Sequence, residues 1–202
     1  MPRRWKVFLL VAFLSLVLDQ ASKLWARHNL PVIERPGVAC KGDVVDKIAA
    51  HECFGDAVPV ISGYWDWRLS MNPGSAFGLF HSANGARIFL SIVGILAVIG
   101  MGWMVRKAKD SQIWLIWALG LVAGGAVGNL IDRIYFGVVT DFTLWHWQDK
   151  AEWPVFNVAD VVLVIGVGLL LLDVGKDDKK KKKKKPKPEP KPEIPEAKAQ
   201  LK

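Results

Sequence analysis

Four long apolar segments limit the folds that this chain can adopt. They cover approximately residues 5–25, 86–105, 113–131 and 158–174. A hydrocarbon core about 30 Å thick needs roughly 20 helical residues at about 1.5 Å each, and the segments meet or nearly meet that length. The pattern predicts an α-helical membrane protein with four transmembrane helices, in which residues 1–175 form a single domain.

The first apolar segment also has features of a secretory signal peptide, because Arg3, Arg4 and Lys6 precede it. A cleaved signal would end in a small-x-small site. Polar residues that include Asp19 and Lys23 stand there instead. We therefore expect a retained helix.

The basic residues near the segments predict their orientation. They lie before the first segment, at 106–109 between the second and third, and at 179–185 after the fourth. Short flanks rich in Lys and Arg stay in the cytoplasm. Both termini are therefore expected in the cytoplasm, with loops of about 26–85 and 132–156 on the outer side.

The net charge of +8 comes largely from residues 176–202, which are rich in Lys, Pro and Glu. This composition predicts a disordered cytoplasmic tail rather than a nucleic-acid-binding domain. Attraction to anionic membrane lipids is the simpler role for the lysine run. A specific protein partner is the alternative.

Both cysteines, Cys40 and Cys53, fall in the first outer loop. Disulfides persist in an oxidising compartment, so a Cys40–Cys53 bridge is expected, with two free thiols as the alternative. Their spacing excludes a C-x-x-C site. The histidines show no shared ligand spacing, which argues against a metal site.

Polar side chains concentrate at the predicted outer ends of the helices, where they are costly to remove from water. The concentrations lie at 19–23, 72–77, 124–133, 139–142 and 156–160. All five fall on one side of the membrane in the predicted topology. They are the candidates for a functional site.

Two aspartates in these clusters have ordinary explanations when each is taken alone. Asp160 follows Asn157 by three residues, which suits a helix cap. Asp141 could be a solvated loop acid. Brought close together, two carboxylates cannot both ionise, so one keeps a proton while the other activates water. Asn72, Asn129 and Asn157 could then donate to an oxyanion or to substrate backbone.

The remaining charged candidates also have structural alternatives. Asp19 and Lys23 lie i,i+4 and could form an ion pair, or could position substrate or lipid. Arg133, next to Asp132, could hold backbone carbonyls, that carboxylate or a lipid head group. Gly124, Gly125 and Gly128 predict close helix packing rather than a phosphate-binding loop.

At these residues the sequence resembles the signal peptidase II family of lipoprotein signal peptidases. The resemblance covers about 5–174 and rests on the motifs Gly-Asn-x-x-Asp-Arg at 128–133 and Phe-Asn-x-Ala-Asp at 156–160. It implies a catalytic pair at Asp141 and Asp160. The implied supporting residues are Asn72, Gly74, Asn129, Asp132, Arg133, Asn157, Asp19 and Lys23.

Two features depart from the family pattern. Thr140 stands where we expect an apolar residue, and residues 40–60 look like an insertion. The resemblance also implies a small periplasmic β-rich element, expected at 57–80, and a mobile periplasmic amphipathic segment, expected at 135–147.

The resemblance implies that the protein is an aspartic endopeptidase of the bacterial inner membrane. Its substrate would be a diacylglyceryl-modified prolipoprotein, cut on the amino side of the lipidated cysteine. The implied enzyme needs no metal or organic cofactor, contacts membrane lipids and is monomeric.

Two alternatives remain at this point. The acids and Arg133 could form a proton relay in a small transporter. The chain could also be an inactive relative that binds lipoproteins.

Overall fold

The computed structural model describes residues 1–34, 44–49, 53–74, 83–148 and 150–183. The helices are α1 (Arg3–Asn29), α2 (Val44–Ala49), α3 (Ala83–Lys107), α4 (Ile113–Tyr135) and α5 (Val158–Lys183). The strands are β1 (Val32–Glu34), β2 (Cys53–Gly55), β3 (Val58–Ile61), β4 (Trp65–Asn72), β5 (Val139–Trp147) and β6 (Ala151–Glu152).

Three helices in the described part of the chain are long and apolar enough to cross a membrane: Arg3–Asn29, Gly85–Lys107 and Ile113–Tyr135. They match the first three predicted spans. The fourth predicted span, 158–174, coincides with the start of α5. Val164 is 72% exposed there, as expected for a side chain that faces lipid. That α5 also crosses the membrane stays a prediction.

Helix α4 lies at the centre of the bundle because its small residues allow close neighbours on two sides. A Cβ on Gly124 would lie 2.5 Å from the carbonyl oxygen of Ala12 in α1. A Cβ on Gly125 would lie 2.7 Å from the carbonyl oxygen of Ala159 in α5. The predicted packing role of these glycines is therefore confirmed.

The opposite ends of the bundle differ in character. At the N-terminal end of α1, an apolar cluster joins α1, α3 and α4 through Phe8, Met101, Val105, Ile116 and Leu119. At the C-terminal end of α1, the strands pack on the bundle. Polar side chains line the junction between that end and the strands.

A sheet with the strand order β3-β4-β5-β6 covers the C-terminal end of α1. Its strands are antiparallel, and β4 pairs with β5 so that Ser70 lies opposite Asp141 and Asn72 opposite Val139. One buried apolar cluster contains Leu69, Met71 and Phe142 of the sheet together with Ala26 of α1. The sheet is thus fixed to the helix bundle by an apolar core of its own.

The β-rich element predicted at 57–80 is confirmed as far as Asn72 by β3 and β4, and its residues 75–80 lie outside the described residues. The prediction of a mobile amphipathic segment at 135–147 is wrong, because most of it is strand β5, an inner strand of the sheet. The aromatic and β-branched residues there suit a strand, and its first six residues are buried. Pairing with β4 also satisfies backbone groups that an unpaired segment would leave open.

Helix α5 continues past the predicted span as far as Lys183, so the beginning of the predicted disordered tail is helical. Lysine is a good helix former, which explains the extension. Residues 184–202 lie outside the described residues. Cys53 is completely buried and disulfide-bonded. Cys40 lies outside the described residues, so the Cys40–Cys53 pairing stays a prediction.

Candidate active site

Asp141 lies on β5 where the sheet meets the bundle, and it is 2% exposed. Its Oδ2 accepts a hydrogen bond of 3.0 Å from Nδ2 of Asn72 on β4. Its Oδ1 accepts one of 2.6 Å from Nδ2 of Asn157, just before α5. Two amides from two different elements therefore hold this carboxyl group.

Gly74 orients the amide of Asn72. The Gly74 N–H donates to Oδ1 of Asn72 at 2.8 Å, which leaves the Asn72 Nδ2 facing Asp141. Gly74 has φ of +86°, a conformation that glycine adopts without strain. A Cβ there would also lie 2.6 Å from Cδ1 of Leu90. The turn after β4 thus requires glycine at this position.

Asp160 lies in the first turn of α5 and forms a reciprocal cap with Asn157. The Asp160 N–H donates to Oδ1 of Asn157 at 3.1 Å, and the Asn157 N–H donates to Oδ2 of Asp160 at 3.2 Å. Its second oxygen, Oδ1, accepts 3.0 Å from Nδ2 of Asn129. Asp160 therefore caps the start of α5, and its Oδ1 faces the side-chain amide of Asn129 on α4.

Asn157 connects the two aspartates. Its side chain donates to Asp141 and, at 3.2 Å, to Oδ1 of Asn129, while its backbone N–H binds Asp160. The residue is 1% exposed. Because each partner fixes one of its groups, Asn157 holds both carboxyl groups in one small region.

The pKa of Asp141 is raised from 3.8 to about 7. Burial is the main cause, because it penalises the ionised form, and the charge of Asp160 adds to it. The hydrogen bonds from Asn72 and Asn157, and the charge of Lys23, act in the opposite direction. Near neutral pH the carboxyl group of Asp141 therefore exchanges a proton readily.

A buried ion cluster on α1 and α4 supports the amides. Nζ of Lys23 lies 2.9 Å from Asp19 and 3.4 Å from Asp132, and all three side chains are fully buried. The same Nζ donates to Oδ1 of Asn129 at 2.8 Å. This bond turns the Asn129 Nδ2 toward Asp160. The predicted ion pair between Asp19 and Lys23 is confirmed, as part of a larger network.

The two acids of this cluster each hold the backbone next to one of the predicted catalytic aspartates. Oδ1 of Asp19 accepts from the N–H of Ala159 at 2.9 Å, and Oδ2 of Asp132 accepts from the N–H of Thr140 at 2.9 Å. Thr140 is completely buried, and its hydroxyl lies 3.9 Å from Sδ of Met71. The hydroxyl therefore has a polar contact where an apolar residue was expected.

Arg133 extends from the last turn of α4 toward the same region. Its Nη1 donates to the carbonyl oxygen of Asn129 at 3.3 Å, as one of its predicted roles requires. Asp141, Asp160 and Asp132 all interact with it electrostatically. Within the described residues its buried Nε has no hydrogen-bond partner.

Two further residues join the network: Gln20, which the sequence placed in the 19–23 cluster without a role, and Arg27, which sequence reasoning missed. Nε2 of Gln20 donates to Asp19 at 3.1 Å and to Asp132 at 3.3 Å. Nη2 of Arg27 lies 3.8 Å from Asp132. The signal was available, because Asp19, Lys23 and Arg27 recur every four residues and so share one face of a helix.

The structure brings every predicted polar site residue into one connected region, apart from the cysteines. The three asparagines, predicted as donors to an oxyanion or substrate, each donate instead to a carboxyl group of Asp141 or Asp160. In the described part of the chain, no group of three His, Cys, Asp or Glu side chains is arranged to hold a metal. What the arrangement offers is a pair of carboxyl groups linked through Asn157, of which Asp141 has a raised pKa.

Comparison with known proteins gives a consistent family assignment. A family model described as signal peptidase (SPase) II matches residues 11–176. A lipoprotein signal peptidase of Syntrophotalea carbinolica is 34% identical over 174 residues, 86% of this chain and 94% of that protein. One of Pseudomonas putida is 34% identical over 171 residues, 84% of this chain and 86% of that protein.

The fold agrees with this assignment. A solved bacterial membrane enzyme has a TM-score of 0.65 and 28% identity, over 89% of this chain and 94% of its own. A second has the same TM-score at 25% identity. By family model and by identity over most of both sequences, the chain belongs to the signal peptidase II family and is a bacterial membrane protease.

Proposed function

We propose that this protein is an aspartic endopeptidase that removes the signal peptide from diacylglyceryl prolipoproteins, on the amino side of the lipidated cysteine. The names of its relatives support the substrate class. One observation carries the aspartic mechanism: Asp141 and Asp160 are both bonded to Asn157. Two carboxyl groups held this close favour a state in which one proton serves both.

In the proposed mechanism, Asp160 starts ionised and Asp141 starts protonated. The raised pKa of Asp141 supports this order. Asp160 also lies at the N-terminus of α5, where the helix dipole favours a negative charge. Asp160 takes a proton from water as the water oxygen attacks the peptide carbonyl, while Asp141 donates a hydrogen bond to the carbonyl oxygen.

Collapse of the tetrahedral intermediate then breaks the C–N bond. The leaving nitrogen receives a proton from the carboxyl pair, and the new carboxylate leaves with the signal peptide. Asn72, Asn129 and Asn157 are positioning residues in this scheme, since each holds a carboxyl group in place. No step requires a metal or an organic cofactor.

The proposed location is the bacterial inner membrane, with both termini in the cytoplasm and the site near the periplasmic face. The junction of sheet and bundle supports this depth, since carboxyl groups there meet water on one side and lipid on the other. The acyl chains of the substrate would remain in the outer leaflet. The protein is proposed to act as a monomer.

The test is cleavage of a lipidated prolipoprotein by wild type, Asp141→Asn and Asp160→Asn, with folding checked by thermal unfolding in detergent. General acid–base groups contribute about 10²–10⁴-fold, so each variant should lose at least that much rate. Asp110→Asn is the matched control, because Asp110 is partly exposed and pairs with Arg4 at the other end of the bundle.

A folded Asp141→Asn or Asp160→Asn protein that cleaves at the wild-type rate would exclude the two-aspartate mechanism. Wild type that cleaves no lipidated substrate would favour the proton-relay alternative. Equal losses in Asp110→Asn would show that the assay reports general damage rather than chemistry.

A further inference from the structure

A groove runs between α1 and α4 on the surface of the bundle, separate from the carboxyl pair. Its volume is about 760 Å³. Apolar side chains form most of its walls, including Val17, Leu24 and Ile131, and Arg27 and His28 also line it. Neither Asp141 nor Asp160 lines this groove, nor does any of their amide partners. We refer to it as the α1–α4 groove.

Arg27 is unusually placed for a charged residue. Its side chain is 10% exposed, and its Nη1 is buried without a hydrogen-bond partner among the described residues. Its Nε donates to the carbonyl oxygen of Lys23 at 3.3 Å. A buried donor without an acceptor is costly, and more so when it is charged. Arg27 also lines the groove, so an acceptor bound there would lie beside a guanidinium whose donors are incompletely paired.

Asp132, the acid that pairs with Arg27, does not supply the missing acceptor for Nη1. Asp132 lies 3.8 Å from Nη2 of Arg27, but it also pairs with Lys23 at 3.4 Å and accepts bonds from Gln20 and Thr140. On its other side, the guanidinium lies 4.3 Å from the ring centroid of Phe136. This cation–π contact fixes the charge at the groove.

The depth of the groove indicates which acceptor is present there. Its α1 residues run from Val17 to His28, toward the end of α1 that packs on the sheet. Tyr135, which also lines it, is 82% exposed, and Trp25 nearby in sequence is 41% exposed. Exposed Tyr and Trp mark the level of lipid head groups. At that level the abundant acceptor is phosphate.

We propose that the α1–α4 groove binds an anionic phospholipid, with its phosphate on Arg27 and an acyl chain along Val17, Leu24 and Ile131. The planar guanidinium matches phosphate geometry, and basic pockets between membrane helices bind lipid head groups. The diacylglyceryl group of the proposed substrate carries no charge. It would fill the apolar wall but leave the charge of Arg27 without an anion.

The test uses native mass spectrometry of the full chain in detergent, titrated with phosphatidylglycerol. Two variants change different parts of the groove. Arg27→Gln removes the charge, and Ala21→Trp fills the apolar wall while it keeps Arg27. Arg27→Gln should weaken binding about tenfold or more, because a hydrogen bond to a charged group is lost. Ala21→Trp should weaken it by a similar factor, because the indole takes the space of the acyl chain. Arg68→Gln is the control, because Arg68 lies on β4 and pairs with Glu152.

Phosphatidylglycerol that binds Arg27→Gln and Ala21→Trp as tightly as wild type would overturn the proposal. So would diacylglycerol of the same chain length binding wild type equally well, because the phosphate would then contribute nothing. If Arg27→Gln fails to fold, Ala21→Trp decides the question alone. Peptidase activity is not the readout, so the result is independent of the proposed mechanism.

Discussion

At the residue scale, the pKa of Asp141 depends on neighbours whose effects oppose one another. Burial and the charge of Asp160 raise its pKa, and the hydrogen bonds from Asn72 and Asn157 lower it. The balance gives a value of about 7, which suits an acid that must give and regain a proton near neutral pH. Small changes in these partners should therefore appear as changes in the pH dependence of cleavage.

Asn72→Ala tests this balance. In the proposed mechanism the protonated form of Asp141 is active, so wild-type kcat/KM should fall as pH rises through about 7. The Asn72 bond favours the ionised form, so its loss should raise the pKa and move that fall to higher pH. Cleavage measured from pH 5 to 9 checks this.

The direction of that shift separates a positioning role from a structural one. A general loss of folding would lower kcat/KM equally at all pH values. A fall that moves to lower pH in Asn72→Ala would contradict the assigned direction. Ser70→Ala is the matched control, because Ser70 lies on β4 opposite Asp141 but has no side-chain amide.

Most residues of the site were predictable from the sequence, but Arg27 and the connections between the residues were not. Motif resemblance predicted the acids and amides, because the residue types and their spacing are visible in the chain. The bond from Lys23 to Asn129 joins positions 106 residues apart. No local pattern predicts such a contact, since it depends on how α1 and α4 pack.

At the element scale, hydrophobic length predicted the helices, and small residues predicted how α4 packs. Strand β5 was missed for a physical reason. Its aromatic residues fit a membrane interface as well as a strand, and its pairing partner β4 lies far away in sequence. The strand is specified by the burial of Phe142 and Leu144, which only the folded chain shows.

Gly124→Ala tests the packing of α4 on α1. The added Cβ would lie 2.5 Å from the Ala12 carbonyl oxygen, so the two backbones must separate. Overpacking of this kind costs about 1–3 kcal/mol, and we expect a lower unfolding temperature in detergent. Gly102→Ala is the control, because a Cβ at Gly102 on α3 meets nothing within 4 Å. An equal effect of both substitutions would argue against close contact between α1 and α4.

At the scale of the whole molecule, the two ends of the bundle carry different chemistry. Arg4 pairs with Asp110 at 3.3 Å, so the N-terminus and the turn between α3 and α4 lie at one end. The basic residues at 3–6 and 106–109 are therefore at the same end, and the sheet and carboxyl pair are at the other. This separation is what the rule of positive residues in the cytoplasm requires of the proposed topology.

Cysteine labelling in whole cells tests that topology. A membrane-impermeant maleimide, applied after the outer membrane is opened, should label Ala151→Cys, since Ala151 is exposed on β6. It should not label Asp110→Cys until the inner membrane is opened. The unsubstituted chain is the blank, because the proposed Cys40–Cys53 bridge leaves no free thiol.

Each result bears on a different part of the proposal. Labelling of Asp110→Cys in cells with an intact inner membrane would reverse the proposed orientation, and with it the periplasmic location of the carboxyl pair. Labelling of the unsubstituted chain would contradict the disulfide and leave the orientation to be read from the difference between the two variants. If only Ala151→Cys reacts, the carboxyl pair faces the periplasm, as the proposed cleavage requires.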